Sequence, residues 1–457
     1  IDADLRVPLQ RKFEHDDLRI EFDVVDASLN AADFRLHFEN LNGSISFRSP
    51  YSLKSQNFSG ALFGFPVNIV IASAEESIEL NFRGHSTLAD VYRVLDISDP
   101  GVGSGEFRFN AQFEAHPGMP DSPSLHVVTD SVGIDLNLPA PLEKSHATSR
   151  VLETRIEFGD KYTSIEAIAD VAEGWLHMRG GEVIRGGIGI GAAMESRDQS
   201  QSGVVVTGGI DLWQIGPNLL GEEPTSIPWR FNDFAVKRIE LDAFSLNNVT
   251  LNGFIDGSDT AIDLHSNELT GFARNDGNSW RLILQELRIP SVESDGVSSP
   301  SYGTLINQLP VAEVSIEKLF IGQKDYGAWQ FGLHGNDKGL HFSDLVAHVK
   351  GLYLEADEDV VWIKDANRSK FSGRIAAKDL ADVISQWGQS ANLEGESMDI
   401  YTDVNWPGSP LNFELVKLSG VMAVTLTDGR LLATKGEPAA GEASSVLSDA
   451  ILNFSDV

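Results

Sequence analysis

Three groups of residues in this 457-residue sequence have types and spacings that could do chemistry. Gly186-Gly187-Ile188-Gly189-Ile190-Gly191 has the glycine density of a phosphate-cradling loop. No Gly-Lys-Ser/Thr follows it and no helix opens after it, so it reads as a bent strand where backbones approach closely. His334, His341 and His348 recur every seven residues. A helix would align them, but Gly335, Gly339 and Gly351 oppose a helix. On one strand an odd spacing alternates faces, so the three cannot converge on an ion and read as surface or core histidines. Asp256, Asp259 and Asp263 lack the spacing of a calcium loop, and Gly257 beside them makes a hairpin turn. Acidic pairs such as Asp16-Asp17 and Glu75-Glu76 point to opposite faces of a strand and define no acid–base couple. There is no Gly-x-Ser-x-Gly elbow, and no cysteine for thiol catalysis, disulfides or a thiolate metal site. The expectation is a chain that is not an enzyme, with no catalytic residues, no cofactor and no metal.

What dominates the sequence is the element pattern. Apolar and polar residues alternate strictly in Leu36 and Phe38, in Ile78, Leu80 and Phe82, and in Phe107, Phe109 and Phe113. The pattern continues through Ile134, Leu136 and Leu138, then Leu282 and Leu284, then Phe331 and Leu333, and finally Ile400, Val404 and Trp406. Period two puts these bulky groups on one face of each strand, as in antiparallel sheets with one wet and one dry face. Turn signals stand at Asn42-Gly43, Asp256-Gly257, Asp276-Gly277 and Asp428-Gly429. Short helices are predicted near 87–95 and 380–387, with weaker ones at Tyr302–Leu309 and Ser445–Leu452. Loops are predicted at Ser196–Gly203, Glu222–Ile227, Ser291–Gly303 and Lys435–Ser444. No apolar run is long enough to cross a bilayer as a helix, and no signal peptide stands at the start. Both ends read as cut from a longer protein. Against 35 Lys and Arg stand 67 Asp and Glu, a net charge of −32. That argues against nucleic acid and against broad adhesion to anionic membranes, and predicts a well-solvated monomer.

The sequence also repeats itself. Leu88-Ala89-Asp90-Val91 recurs as Leu380-Ala381-Asp382-Val383, and Gly105-Glu106 to Pro117-Gly118 recurs in spacing as Gly395-Glu396 to Pro407-Gly408. Ser122-Pro123 and Ser409-Pro410 follow at the same place, and Gly64 matches Gly351 upstream. Ordered matches at one offset imply duplicated units. The expected organisation is a repeat unit over 1–150, a middle segment over 151–300 and a second repeat unit over 301–457. So many one-sided strands with so few helices need a second sheet, a closed barrel, or a curled sheet holding something apolar.

Three stretches carry a resemblance: Leu53–Ile71 (LKSQNFSGALFGFPVNIVI), Ser131–Lys144 (SVGIDLNLPAPLEK) and Trp406–Leu432 (WPGSPLNFELVKLSGVMAVTLTDGRLL). Together they resemble the YhdP branch of the AsmA-like, bridge-forming lipid-transport family. The resemblance implies a mainly β fold, a long twisted antiparallel sheet curled into an open hydrophobic groove. The alternating residues above would line that groove, with phospholipid acyl chains as partners. It implies a periplasmic place for this segment, between inner and outer membranes reached by parts outside it, and it carries over no catalytic residues. If the lining is open, a charge at Phe109 should cost lipid rather than fold. The alternatives are a β-sandwich carbohydrate-binding or adhesive rod, and an envelope assembly scaffold.

Overall fold

A computed structural model describes residues 3–5, 19–31, 34–48, 52–73, 77–116, 123–191, 202–214, 227–241, 244–257, 259–277, 279–290, 311–388, 393–410, 413 and 417–431. The predicted helices Tyr302–Leu309 and Ser445–Leu452 lie outside these residues, as do nearly all of the four predicted loops. Strand accounts for 71% and helix for 5% of the described structure, as the period-two pattern requires. The chain forms two compact units, Ile1–Leu212 with Ile227–Ala235, and Trp213–Ser226 with Val236–Val457.

In the first unit β1 (Ala3–Leu5), β2 (Arg19–Ala31), β3 (Leu36–Arg48), β4 (Ser52–Leu62), β5 (Phe65–Ser73) and β6 (Ile78–Thr87) pair antiparallel in chain order. Helix α1 (Leu88–Leu95) then leads into β7 (Gly103–Ala115), which returns along β6. Both β8 (Ser124–Thr129) and β9 (Ile134–Leu136) pair with β7. Beyond β8 run β10 (Leu152–Phe158), β11 (Thr163–Ala169), β12 (Ala172–Arg179) and β13 (Glu182–Ile190), again antiparallel. The next strand, β14 (Gly203–Gln214), lies parallel to β13.

The strands β14 and β15 (Trp229–Leu241) each contain a division between units. In the second unit β16 (Phe244–Asp256), β17 (Asp259–His265), β18 (Leu269–Asp276) and β19 (Trp280–Ile289) form an antiparallel meander. Then β20 (Ala312–Ile316) and β21 (Leu319–Ile321) lie parallel to β19. A short β22 (Lys324–Asp325) turns back on β21, and β23 (Ala328–Asn336) pairs with β20. The strand β24 (Gly339–Val349) pairs with β23, β25 (Leu352–Ala356) and β26 (Val360–Ile363). Both β25 and β26 pair with β27 (Arg368–Lys378). Helix α2 (Leu380–Gln386) and β28 (Leu393–Glu394) precede β29 (Ser397–Pro407) and β30 (Ser419–Thr427), which extend the sheet from β27. A last strand, β31 (Arg430–Leu431), pairs with β28.

The expectation of a wholly antiparallel sheet needs correction at two places, β13/β14 and β19 with β20 and β21. Parallel neighbours need a crossover of about a dozen residues or more. The chain between Ile190 and Gly203, and between Ile289 and Ala312, is long enough for one. The predicted loops Ser196–Gly203 and Ser291–Gly303 fall in these connections, which reset strand direction rather than merely joining hairpins.

A second correction concerns Asn42-Gly43, which lies inside β3 rather than in a turn. Its neighbours are bulged: Asp26, Asn40 and Asn57, on β2, β3 and β4, all have φ between 47° and 52°. Asn42 stabilises the irregularity, accepting from the Asp26 amide at 3.1 Å and donating to the Asn40 carbonyl at 2.7 Å. Bulges on successive strands bend a sheet and raise its twist. Asp256-Gly257, by contrast, closes the β16–β17 hairpin, with Asp256 opposite Asp259.

Several of the repeated motifs take like local conformations in the two units, although the second has the additional strand β26 between its turn and its helix. Phe63-Gly64 and Lys350-Gly351 are two-residue turns with both residues at positive φ. Leu88 and Leu380 each open a short helix, and in each unit the strand before that helix pairs with the long strand after it.

Candidate apolar groove

In the first unit Leu36, Phe38, Phe82, Phe107, Phe109 and Ile134 are buried in one apolar cluster, each 5–7% exposed. Leu80, Phe113 and Leu136 pack against it half-buried, whereas Ile78 and Leu138, also half-buried, lie outside it. The geometry shows how the face is folded. Phe38 and Phe82 meet edge to face, their ring centroids 5.9 Å apart. They stand on β3 and β6, which β4 and β5 separate. A flat sheet would hold them about 14 Å apart, three strand spacings. The sheet of this unit therefore curls with its apolar face inward. Phe34, just before β3, carries the curl further: its ring lies 5.0 Å from Phe113 and 4.8 Å from Phe158. Leu88, Val91, Val94 and Leu95 of α1 pack on the same cluster.

This face is filled by its own side chains at the level of Phe82 and Phe109, whose rings are also 5.9 Å apart. The expectation that a charge at Phe109 would spare the fold does not survive, because Phe109 is a packed core ring and not the wall of an empty channel. Leu41, Phe58, Leu62, Val67, Ile69 and Leu125 share the cluster and were not in the predicted lining. Val67 and Ile69 follow plain alternation. Leu41 is harder to read, because the bulges around Asn40 break the period there.

In the second unit Leu284 is buried with Ala312, Val314, Ile316 and Leu319, and Leu282, Phe331 and Leu333 pack against them. Val404 and Trp406 are buried with Leu345, Val360 and Phe371, and Phe331 borders this cluster too. Ile400 belongs to neither cluster. It is half-buried opposite Val424 of β30, with Met398 opposite Leu426 and Thr402 opposite Met422. There the apolar face is open: Met422 is 46%, Val424 52% and Leu426 38% exposed.

Polar candidates settle differently. Gly186 and Gly187 are buried in β13, where a Cβ on Gly186 would come within 2.7 Å of the Trp175 carbonyl oxygen, so close backbone approach accounts for the glycine there. Buried Lys144 closes the Ser131–Lys144 stretch by donating to the carbonyls of Ser131 at 2.6 Å and Ile134 at 2.9 Å. Burial, and then the nearby Arg150, lower its pKa, with Asp135 and Asp130 opposing. His334 and His341, which the spacing argument kept apart, are cross-strand partners on β23 and β24. That argument holds for one strand, and these residues stand on two.

These features define a mainly β protein of one long mixed sheet, whose apolar face curls inward in the first unit. The sequence model of a family described as YhdP protein matches residues 1–448, nearly the whole chain, and the chain belongs to the YhdP family. No curated protein and no solved structure matches it.

Proposed function

We propose that this chain is a non-enzymatic, periplasmic segment of a bridge that carries phospholipid between the inner and outer membranes. Acyl chains lie along the apolar face of the curled sheet and head groups remain at its wet rim. The observation that carries this reading is the apolar surface that Met422, Val424 and Leu426 of β30 leave exposed beside half-buried Ile400. An exposed apolar surface of this kind asks for an apolar ligand. Family membership supports the same reading, because the resemblance implies lipid transport. Burial of acyl surface contributes about 25 cal/mol per Å2, spread without directionality, so a chain is held but free to slide. Where side chains now meet, as at Phe82 and Phe109, rings must part for a chain to pass.

The test is native mass spectrometry of the purified chain, followed by lipid extraction. Phospholipid is expected to co-purify. Val424→Asp places a charge on the open apolar face at a half-exposed site, so it should lower bound lipid several-fold with stability changed by about 0.5 kcal/mol or less. A parent chain that retains no phospholipid from a lipid-rich extract, or a variant that retains as much as the parent, overturns the proposal.

A further inference from the structure

The hairpin of β23 and β24 brings His334 and His341 directly opposite each other. Their rings stack with centroids 4.7 Å apart and planes 15° apart. On the other side of β24 stands β26, where Val361 is the partner of His341. Asp359, two residues before Val361, reaches back so that its Oδ2 lies 3.6 Å from His341 Nδ1. One ligand atom from each of His334, His341 and Asp359 lies within 4.8 Å of the others. Two adjacent strands and the residue that precedes β26 thus gather two imidazoles and one carboxylate in one place, and the stacked rings must swing apart to aim at a shared ion. His334 lies on the opposite face of β23 from Phe331 and Leu333, so this point is on the wet side, away from the apolar cluster.

From this we propose that His334, His341 and Asp359 form a site for one divalent first-row metal ion, with zinc the best fit. Two borderline nitrogen ligands and one carboxylate suit Zn2+, Co2+, Ni2+ or Cu2+ and disfavour Mg2+ and Ca2+, which want oxygen alone. Metal–nitrogen bonds of about 2.0–2.1 Å bring ligand atoms to about 3–3.5 Å from one another. The three groups must close by roughly 1–2 Å to reach that spacing. Side-chain rotation supplies the closure, because His341 is 22% and Asp359 42% exposed at the side chain and neither is locked in a core. Asn336 Nδ2 now sits 3.0 Å from His341 Nε2. With the Asn336 amide donating to Nε2, the neutral ring carries its proton on Nδ1; when an ion binds Nδ1 this proton moves to Nε2 and the Asn336 amide turns away. Three protein ligands leave a fourth position for water. The bound ion would staple β23, β24 and β26 together.

Calorimetric titration of the metal-free chain with Zn2+ tests the site. One Zn2+ per chain is expected, with a raised melting temperature and no response to Mg2+ at the same concentration. His334→Ala and His341→Ala should each weaken binding at least tenfold. His265→Ala, a histidine on β17, should leave it unchanged and so corrects for the other histidines among the 11 in the chain. Zinc-edge X-ray absorption on the unaltered loaded chain should show two imidazoles and at least one oxygen, a readout that holds even if an alanine variant folds poorly. Binding no tighter than that of the His334→Ala/His341→Ala double variant, or an absorption spectrum without paired imidazoles, overturns the proposal.

Discussion

At the scale of residues, the position that matters most for the groove is Phe109. It is 7% exposed and in edge contact with Phe82. Phe109→Asp therefore buries an unpaired carboxyl and leaves a cavity, with an expected loss of about 3–5 kcal/mol or more. Urea denaturation checks this, and a loss under about 1 kcal/mol would show the ring is not packed as described. Lys144 behaves oppositely to a surface lysine. Its ammonium donates to three carbonyls, those of Ser131, Ile134 and Ser145, so Lys144→Met should cost about 1–3 kcal/mol by stranding them. Its pKa is lowered from the ordinary 10.5, mainly by burial. The unfolded chain then holds this proton more tightly than the folded one. From this group, stability rises with pH between the lowered folded value and 10.5, and below the folded value the penalty is fully present. Parent and Lys144→Met melts compared as pH approaches 10.5 from below should show the parent gaining relative to the variant as pH rises; a constant difference would refute the assignment. Sequence alone could flag Phe109 through period two. It could not flag Lys144, because nothing in its neighbours signals that the chain folds around its side chain.

The elements show why some of the fold was legible and some was not. Strand existence follows from alternation at β3, β6, β7, β9, β19, β23 and β29, and both helices stand where they are predicted, sharing the recurring Leu-Ala-Asp-Val. Strand direction does not follow, because parallel and antiparallel strands share one period and differ only in the length of their connections. Bulges are also hidden. Asn40, Asn57 and Asp26 look like turn formers, and their role in bending long strands emerges only once the partners are known. The two helix caps emerge only from the structure. Thr87 caps α1, accepting from the Asp90 amide at 3.2 Å, while Asp90 Oδ2 accepts from the Thr87 amide at 3.1 Å and its hydroxyl at 2.7 Å. Asp90 is buried and also pairs with Arg93 at 2.9 Å. In α2 Asp379 accepts from the Asp382 amide at 3.2 Å, but the Asp382 side chain turns to Gln386 instead of closing the box. Thr87→Ala is thus expected to cost about 1–2 kcal/mol, and Asp379→Ala less. Equal losses in denaturation midpoint would remove the distinction between the two caps.

At the scale of the whole molecule, the acidic surface and the apolar faces make opposing demands. A net charge of −32 holds the chain in solution and repels it from anionic bilayers. If its faces accept phospholipid, pick-up from a membrane must work against that repulsion. Screening decides how strongly: the Debye length falls from about 30 Å at 0.01 M salt to about 8 Å at 0.15 M. Two consequences follow, one independent of any ligand. Self-repulsion within the folded chain weakens as salt rises, so the melting temperature should climb between 0.01 and 0.15 M sodium chloride, the reverse of what a surface held by ion pairs would show. Lipid pick-up by delipidated chain from phosphatidylglycerol vesicles should accelerate over the same range, while pick-up from uncharged phosphatidylcholine vesicles changes little. A basic, electrostatically steered carrier would slow with salt instead. The melting curves and the vesicle kinetics separate the claims: a melting temperature that falls with salt refutes the account of self-repulsion, and uptake from phosphatidylglycerol that slows with salt refutes the account of acidic repulsion at the bilayer while leaving the fold untouched.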